Sequence, residues 1–347
     1  MPATTSWTES TSPPVLAALQ ATAAAGPVDT SAVHDAAALF PLGDHVVLEI
    51  TGRDRVRFLH AMLSNDVAAM DRAGPGHGLR AALNSLKGRL VADAHLYLVD
   101  ADKKTGAILA VLEAHAAEAF VAMLDQYVIA EKVYFEPVAL TPIAVVGPRA
   151  PEAVGATGAA LPPETPHAHV ATTIGDAPVR IARHEQGGGD DLLLLVAPDD
   201  AEAVTAALAL PTPGPEVLEA ARIEAALPRP GGDVTGLHIV LEGGLKDRSV
   251  SFTKGCYIGQ EVICRIDSMG TPARLLVQLG GVEDVPAPGT ELFANGRAVG
   301  YVTSAVDSAR HGGPVFLGYV KKKANAVGAT VAVGAADGPE ATIRAHV

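Results

Sequence analysis

Val250-Ser251-Phe252-Thr253-Lys254-Gly255-Cys256-Tyr257-Ile258-Gly259-Gln260-Glu261 is the stretch on which the reading of this chain turns. Val250 and Phe252 alternate with Ser251 and Thr253, the period-two pattern of a half-buried strand. A cation, a thiol, a phenol, an amide and a carboxylate then follow in close succession. Gly255 and Gly259 lack a Cβ, so the backbone between them can turn sharply and admit a ligand closely. Val262, Ile263 and Ile266 predict a helix just after, which puts Gln260 and Glu261 near its N-terminus, where unpaired N–H groups and the helix dipole favour negative charge.

Such a loop has the chemistry for a small polar aromatic ligand with an acidic tail. Tyr257 offers a flat face, Gln260 and Glu261 offer hydrogen bonds to a pyrimidine-like edge, and Lys254 can pair with a carboxylate. The competing reading is a tight strand-to-helix connection whose polar groups only cap the helix. Local pattern leaves both open.

Working outward, the composition bounds the answer. A chain of 347 residues with 48% hydrophobic and 19% charged residues suits two or three domains with sizeable cores, and at 4% aromatics those cores are built from Ala, Val and Leu. A formal net charge of −13 argues against direct nucleic-acid or anionic-membrane binding, which needs clustered Lys and Arg. Two cysteines, Cys256 and Cys264, cannot form an all-cysteine tetrahedral site, and no HExxH or paired CxxC occurs, so no intrinsic metal is expected. No apolar run reaches a membrane span, and the first basic residue is Arg53. The expectation is a cytoplasmic protein with free thiols.

In chain order, residues 1–34 read as a loose tail with a short helix over 15–25. A strand over 45–50, a turn at Thr51-Gly52 and a helix over 54–63 follow. Strands over 78–83 and 90–99 flank Asn84-Ser85-Leu86-Lys87-Gly88-Arg89, where Gly88 supplies a positive φ. Asp93, His95 and Tyr97 share one face of the second strand, either a general acid–base pair or the wet face of an edge hairpin. A strand over 108–112, a helix over 115–128 and a strand near 133–135 complete one strand and helix unit. A second unit follows over 143–208, with a helix over 216–226 beyond it. Together these predict two related α+β lobes in residues 35–268, the lobes discontinuous and the second spanning roughly 61–139. After Pro272 short alternating runs and an Asn295-Gly296 hairpin predict an antiparallel β-barrel over 272–347. Lys321-Lys322-Lys323 reads either as a solvated strand end or as an anchor for an acidic tail.

SFTKGCYIGQE resembles the signature of the YgfZ family of folate-binding proteins, relatives of the glycine-cleavage T-protein and of mitochondrial factors that mature iron–sulfur proteins. The resemblance extends to LEITGRDRVRFLHAMLSNDV near the N-terminus, to Ala221-Arg222-Ile223-Glu224-Ala225, and to the segment from Cys264-Arg265 to Gly270, where small residues are more usual than Cys264. It implies a three-part T-protein-like architecture of class α+β, two intertwined lobes around a central folate channel plus a C-terminal antiparallel β-barrel. Tetrahydrofolate or a one-carbon derivative is the implied cofactor, with Lys254, Gly255, Tyr257, Gln260, Glu261, Asn84, Asp93 and Arg265 around it.

The family relation frames the choice between factor and enzyme. The T-protein moves an aminomethyl group to tetrahydrofolate, and its pattern places two adjacent aspartates after the Asn-containing turn. Here that pair reads Ala92-Asp93, which implies that the carboxylate activating folate is replaced by a methyl group. Nor does Asp190-Asp191-Leu192-Leu193 offer a clear counterpart of the second-lobe acid. Cys256, two residues from the Lys254 ammonium, is the implied functional thiol, against a packing role. The resemblance thus implies a folate-binding accessory factor with transient iron–sulfur client enzymes and an indirect link to tRNA modification. An aminomethyltransferase or other one-carbon enzyme is the alternative, and an interaction protein with an empty cavity the third.

Overall fold

The computed structural model describes residues 26–187, 189–270 and 272–347. The expected helix over 15–25 lies outside the described residues. The following segment does not behave as a loose tail: Val28 bridges to Ser308 and its N–H donates to the Asp307 carbonyl at 2.8 Å, and Val33 of helix α1 (Ser31–His34) is buried.

Two five-stranded antiparallel sheets face one another. The first comprises β2 (His45–Thr51), β3 (Gly78–Asn84), β4 (Leu90–Leu98), β5 (Ile108–Glu113) and β6 (Tyr134–Val138) in the order β3-β4-β5-β2-β6. The second comprises β1 (Ala38–Pro41), β7 (Thr141–Val146), β8 (His169–Ile174), β9 (Ala177–Arg183) and β10 (Leu192–Val196) in the order β8-β9-β10-β7-β1. The two orders match strand for strand, with one exchange. Edge strand β1 runs directly into β2 of the other sheet, and edge strand β6 runs directly into β7. The lobes are therefore intertwined, as the resemblance implied, and the first sheet begins at His45, ahead of the expected boundary near 61. The sequence reading missed β1, β8 and helix α3 (Val67–Ala73): each is short, β1 pairs with a strand far along the chain, and β8 is an edge strand held by β9 alone.

Period-two burial explains the layering. Ala81, Leu83, Ala92, Ala94, Leu96 and Leu98 turn outward to a core shared with Leu59 of α2 (Arg55–Met62), Met70 of α3 and Phe120 of α4 (Ala114–Asp125). Ile143, Val145, Leu192 and Leu194 do the same toward α5 (Ala150–Gly155) and α6 (Ala201–Leu208). The inner faces meet through Val47, Tyr97, Val111, Ala144, Leu193 and Leu195, a core that also takes in α7 (Pro215–Glu224) and the barrel strands. The barrel is closed, with strands β11 (Arg274–Gly280), β12 (Glu291–Ala294), β13 (Arg297–Ser308), β14 (Gly313–Lys321), β15 (Thr330–Val333) and β16 (Glu340–His346) in the order β11-β14-β13-β12-β15-β16. At the expected hairpin Asn295 has φ +51° and Gly296 +71°, the paired positive values of a tight turn matched to strand twist.

Residues 250–253 are not a strand. A single turn, α8 (Lys246–Ser249), precedes them, and helix α9 (Gln260–Ser268) follows Gly259 as expected. Val250 and Phe252 do pack inward, against a cluster containing Leu245, Tyr257 and Ile263, but the one ladder-like bond is from Ser251 N–H to the Ser64 carbonyl at 2.9 Å. Alternating residue types without a neighbouring strand leave a loop.

Candidate functional site

The site is built on the inner face of β3 and β4. Antiparallel register places Ala82 opposite Asp93, Arg80 opposite His95 and Gly78 opposite Tyr97, so these six share one face and Asn84 continues it. At one end of this face lies the 254–261 stretch; at the other lies the second lobe. Between the lobes opens a cavity of about 450 Å³, lined by Arg80 and His95 of the first, His167, Arg183 and His184 of the second, and Arg248 of α8. That volume suits a small organic ligand.

Asp93 stands beside Arg80, which donates from Nε to Oδ2 at 2.6 Å. Burial pushes the Asp93 carboxyl upward and the Arg80 charge only partly restrains it. This reverses one expectation. Ala92 faces the outer apolar core, so a carboxylate at that position would not reach the inner face; the carboxylate on the inner face is Asp93, and it is present. Asp191 also borders the cavity, but it anchors a loop, its two oxygens accepting from the N–H groups of Gly147 (2.9 Å), Gln186 (2.9 Å) and Gly187 (2.7 Å). Asp93 and His95 form no wet edge: His95 meets His167 and His184 of the second lobe, and Asp93 is buried beside Arg80.

The histidines went unread in the sequence, apart from His95. The His95 ring lies 4.1 Å from that of His184 and 5.3 Å from that of His167. Burial holds His95 and His184 well below the usual imidazole range and His167 and His169 at about 4, with the Arg80 charge opposing protonation of His95, His167 and His184 and Arg180 that of His169. Among the described residues no group of three His, Cys, Asp or Glu side chains is arranged to hold a metal ion. Only the spacing Pro166-His167-Ala168-His169, two histidines one residue apart entering a strand, could have flagged this wall.

Lys254 buries its ammonium and donates to the carbonyls of His60, Leu63 (2.6 Å) and Asn65 (3.1 Å), tying down the segment that leads to the cavity-lining Asn65. Burial pulls this ammonium down to about 8. It also sits 5.1 Å from the centre of the Tyr257 ring, which is buried among Leu245 and Ile263. Gly259, at φ +81°, packs on the hairpin, where a Cβ would lie 2.5 Å from the Ser85 carbonyl. Gly255 has open space around it and Cys256 is exposed. Gln260 is half-buried, while Glu261 and Arg265 are exposed on α9. The structure thus brings Lys254, Tyr257, Gly259 and Asn84 together at one end of the face. The cavity lining itself contains none of the residues expected around the ligand: Asn84, Asp93, Lys254, Tyr257 and Gln260 lie off it, as do Gly255, Cys256, Glu261 and Arg265, and Lys321, Lys322 and Lys323 sit on the barrel.

One pattern unites the two ends. The Tyr257 hydroxyl, both amide atoms of Asn84, Asp93 Oδ1, His95 Nδ1, His167 Nδ1 and Arg183 Nε are buried with no hydrogen-bond partner within the protein. Buried polar atoms are nearly always paired, so the orphans of Asn84, Asp93 and His95 on one sheet face, with those of Tyr257, His167 and Arg183 beside it, are atoms that a polar ligand bound there would satisfy. From Asn84 to Arg80, which stands opposite His95, the face runs four residues of strand, roughly 14 Å.

Residues 274–347 match the family model of the glycine cleavage T-protein C-terminal barrel domain. The whole fold is T-protein-like: the glycine cleavage system aminomethyltransferase T from Bartonella henselae matches with a TM-score of 0.80 at 20% identity, covering 91% of this chain and 87% of that one. Two sequence relatives lie on either side of the functional choice. The mitochondrial iron-sulfur cluster assembly factor IBA57 of Homo sapiens is 27% identical over 281 residues, 76% of this chain and 73% of the relative. An aminomethyltransferase of Nostoc sp. is 26% identical over 312 residues, 86% of this chain and 80% of the relative. A chloroplastic protein of Arabidopsis thaliana named as a transferase is 26% identical over 295 residues, 83% of this chain but just under two thirds, 66%, of the relative.

Proposed function

We propose that this protein binds a reduced folate along the face running from Tyr257 to His167 and, with it bound, serves as an accessory factor in the assembly or upkeep of iron–sulfur proteins, supporting tRNA modification through its clients. The observation that carries this reading is the row of unpartnered buried polar atoms. The donors and acceptors of Asn84 and Asp93 suit the amide-and-amine edge of a pterin, and the arginines at the far end suit a glutamate carboxylate. Likeness to the human assembly factor and the SFTKGCYIGQE run support the accessory role. So does Cys256, whose exposed thiol a client can reach without entering the cavity.

Asp93 favours a second reading, an aminomethyltransferase. Its carboxyl is raised by burial and one oxygen is free, the properties of a group that takes a proton from a ligand nitrogen. Titration with tetrahydrofolate tests the shared premise and is expected to show one site per chain. Turnover with an aminomethyl-lipoyl carrier, lost in Asp93→Asn, would establish the transferase. Binding without turnover, together with restored iron–sulfur enzyme activity in cells lacking such a factor, supports the accessory role.

A further inference from the structure

His95 and His167 form an imidazole pair in the wall of the cavity. They come from different lobes, their ring centres are 5.3 Å apart, and each has a buried Nδ1 without a partner. His167 is held at φ +59°, a left-handed conformation that a non-glycine residue adopts under constraint. The constraint is visible: a Cβ at Gly78 would lie 2.6 Å from the His167 carbonyl, and His169 N–H donates to the Gly76 carbonyl at 2.8 Å. A strained backbone that delivers a ring to a cavity wall points to work for that ring.

The third imidazole cannot share this role. His184 engages both nitrogens, Nδ1 with the Tyr97 hydroxyl and Nε2 with the Gln186 amide, each at 2.8 Å. Of the nearby cations, Arg80 is paired with Asp93 and Arg248 with Glu185, and Arg183 keeps its Nε unpartnered. Of the acids, Asp191 is committed to backbone N–H groups, while Glu164, Asp190 and Asp247 border the cavity. His45, facing the pair from β2, is bonded to Asp44. In the free protein burial, reinforced by the Arg80 charge, keeps both imidazoles neutral; an anion at the unpartnered Nδ1 atoms offsets that penalty.

We propose that His95 and His167 together take up one proton when a carboxylate-bearing anion enters the cavity, so that this pair, with Arg183, reads the ligand's charge. The inference rests on the folate reading, which supplies the anion. Linkage then requires affinity to fall as pH rises, with a slope equal to the number of protons taken up.

The test is calorimetric titration of the full chain with 5-formyltetrahydrofolate at pH 7.0, 7.5 and 8.0, each in PIPES and in Tris, buffers of different ionisation enthalpy. The expected result is a buffer-dependent heat corresponding to uptake of about one proton, and a Kd that rises up to about tenfold per pH unit. Equal heats in both buffers with a Kd that does not change with pH overturn the inference and leave the folate reading standing. No binding at any pH, checked by equilibrium dialysis, overturns both. A variant carrying His95→Asn and His167→Asn is expected to bind without proton uptake, and retained uptake also overturns the inference; if that variant does not fold, the two-buffer comparison on the unmodified chain decides alone.

Discussion

Lys254 illustrates how far single residues could be read. Its place beside a thiol and a phenol suggested a carboxylate partner, yet its three donors go to the carbonyls of His60, Leu63 and Asn65. Replacing it leaves buried carbonyls unpaired. Lys254→Met is therefore expected to lose about 2–3 kcal/mol of stability, read from the urea midpoint; full stability combined with weakened binding of polyglutamyl folate would restore it to the ligand. Cys256 lies outside the cavity and exposed. Cys256→Ser should stay within about 0.5 kcal/mol of the unmodified chain and fail to restore iron–sulfur enzyme activity in deficient cells. Asp93 was legible because strand spacing groups it with His95, and Asn84 through the resemblance alone, since it was read as part of the connecting turn. Arg80, His167 and His184 were not, because their grouping depends on how two lobes meet. Tyr257 was legible as an aromatic beside a cation but not as a buried one.

At the scale of elements, period-two alternation identified β3, β4 and the barrel hairpins, but it could not say which face of β4 meets water. The answer is neither, since apolar residues cover one side and the second lobe the other. The same alternation misled at 250–253, where no strand lies alongside. The histidine wall gives this layer a pH dependence. His95, His167, His169 and His184 all have their protonation disfavoured in the fold, so the unfolded chain binds more protons between the folded values and the ordinary value near 6.5. Stability is thus fully present above pH 6.5 and is lost as pH falls toward 4. For His167 and His169, allowing for partial exposure, the loss near pH 5 is on the order of 1 kcal/mol per pH unit each. Urea midpoints measured from pH 7 to 5 should fall accordingly, and less steeply in His167→Asn; a flat profile would mean the rings are solvated.

Across the whole molecule, exchange of β1 and β6 makes the two lobes one folding unit, and α7 joins them to the barrel. There Arg222 is buried between Glu219 and Asp233, and Asp233 also accepts from Ser304 Oγ at 2.5 Å. Asp233→Ala strands a buried charge at this junction and is expected to cost about 3–5 kcal/mol, with barrel and lobes losing cooperativity in thermal unfolding. The three-part layout was legible from segment texture and the SFTKGCYIGQE run; the strand exchange was not, because β1 is four residues long and pairs with a strand a hundred residues away. The central claim is that the unpartnered polar row between the lobes is a reduced-folate site. A crystal structure with tetrahydrofolate bound tests it most directly. The account predicts the pterin against Asn84 and Asp93 and the glutamate carboxylates toward His95, His167 and Arg183; ligand density elsewhere on the chain, with that row untouched, would contradict it.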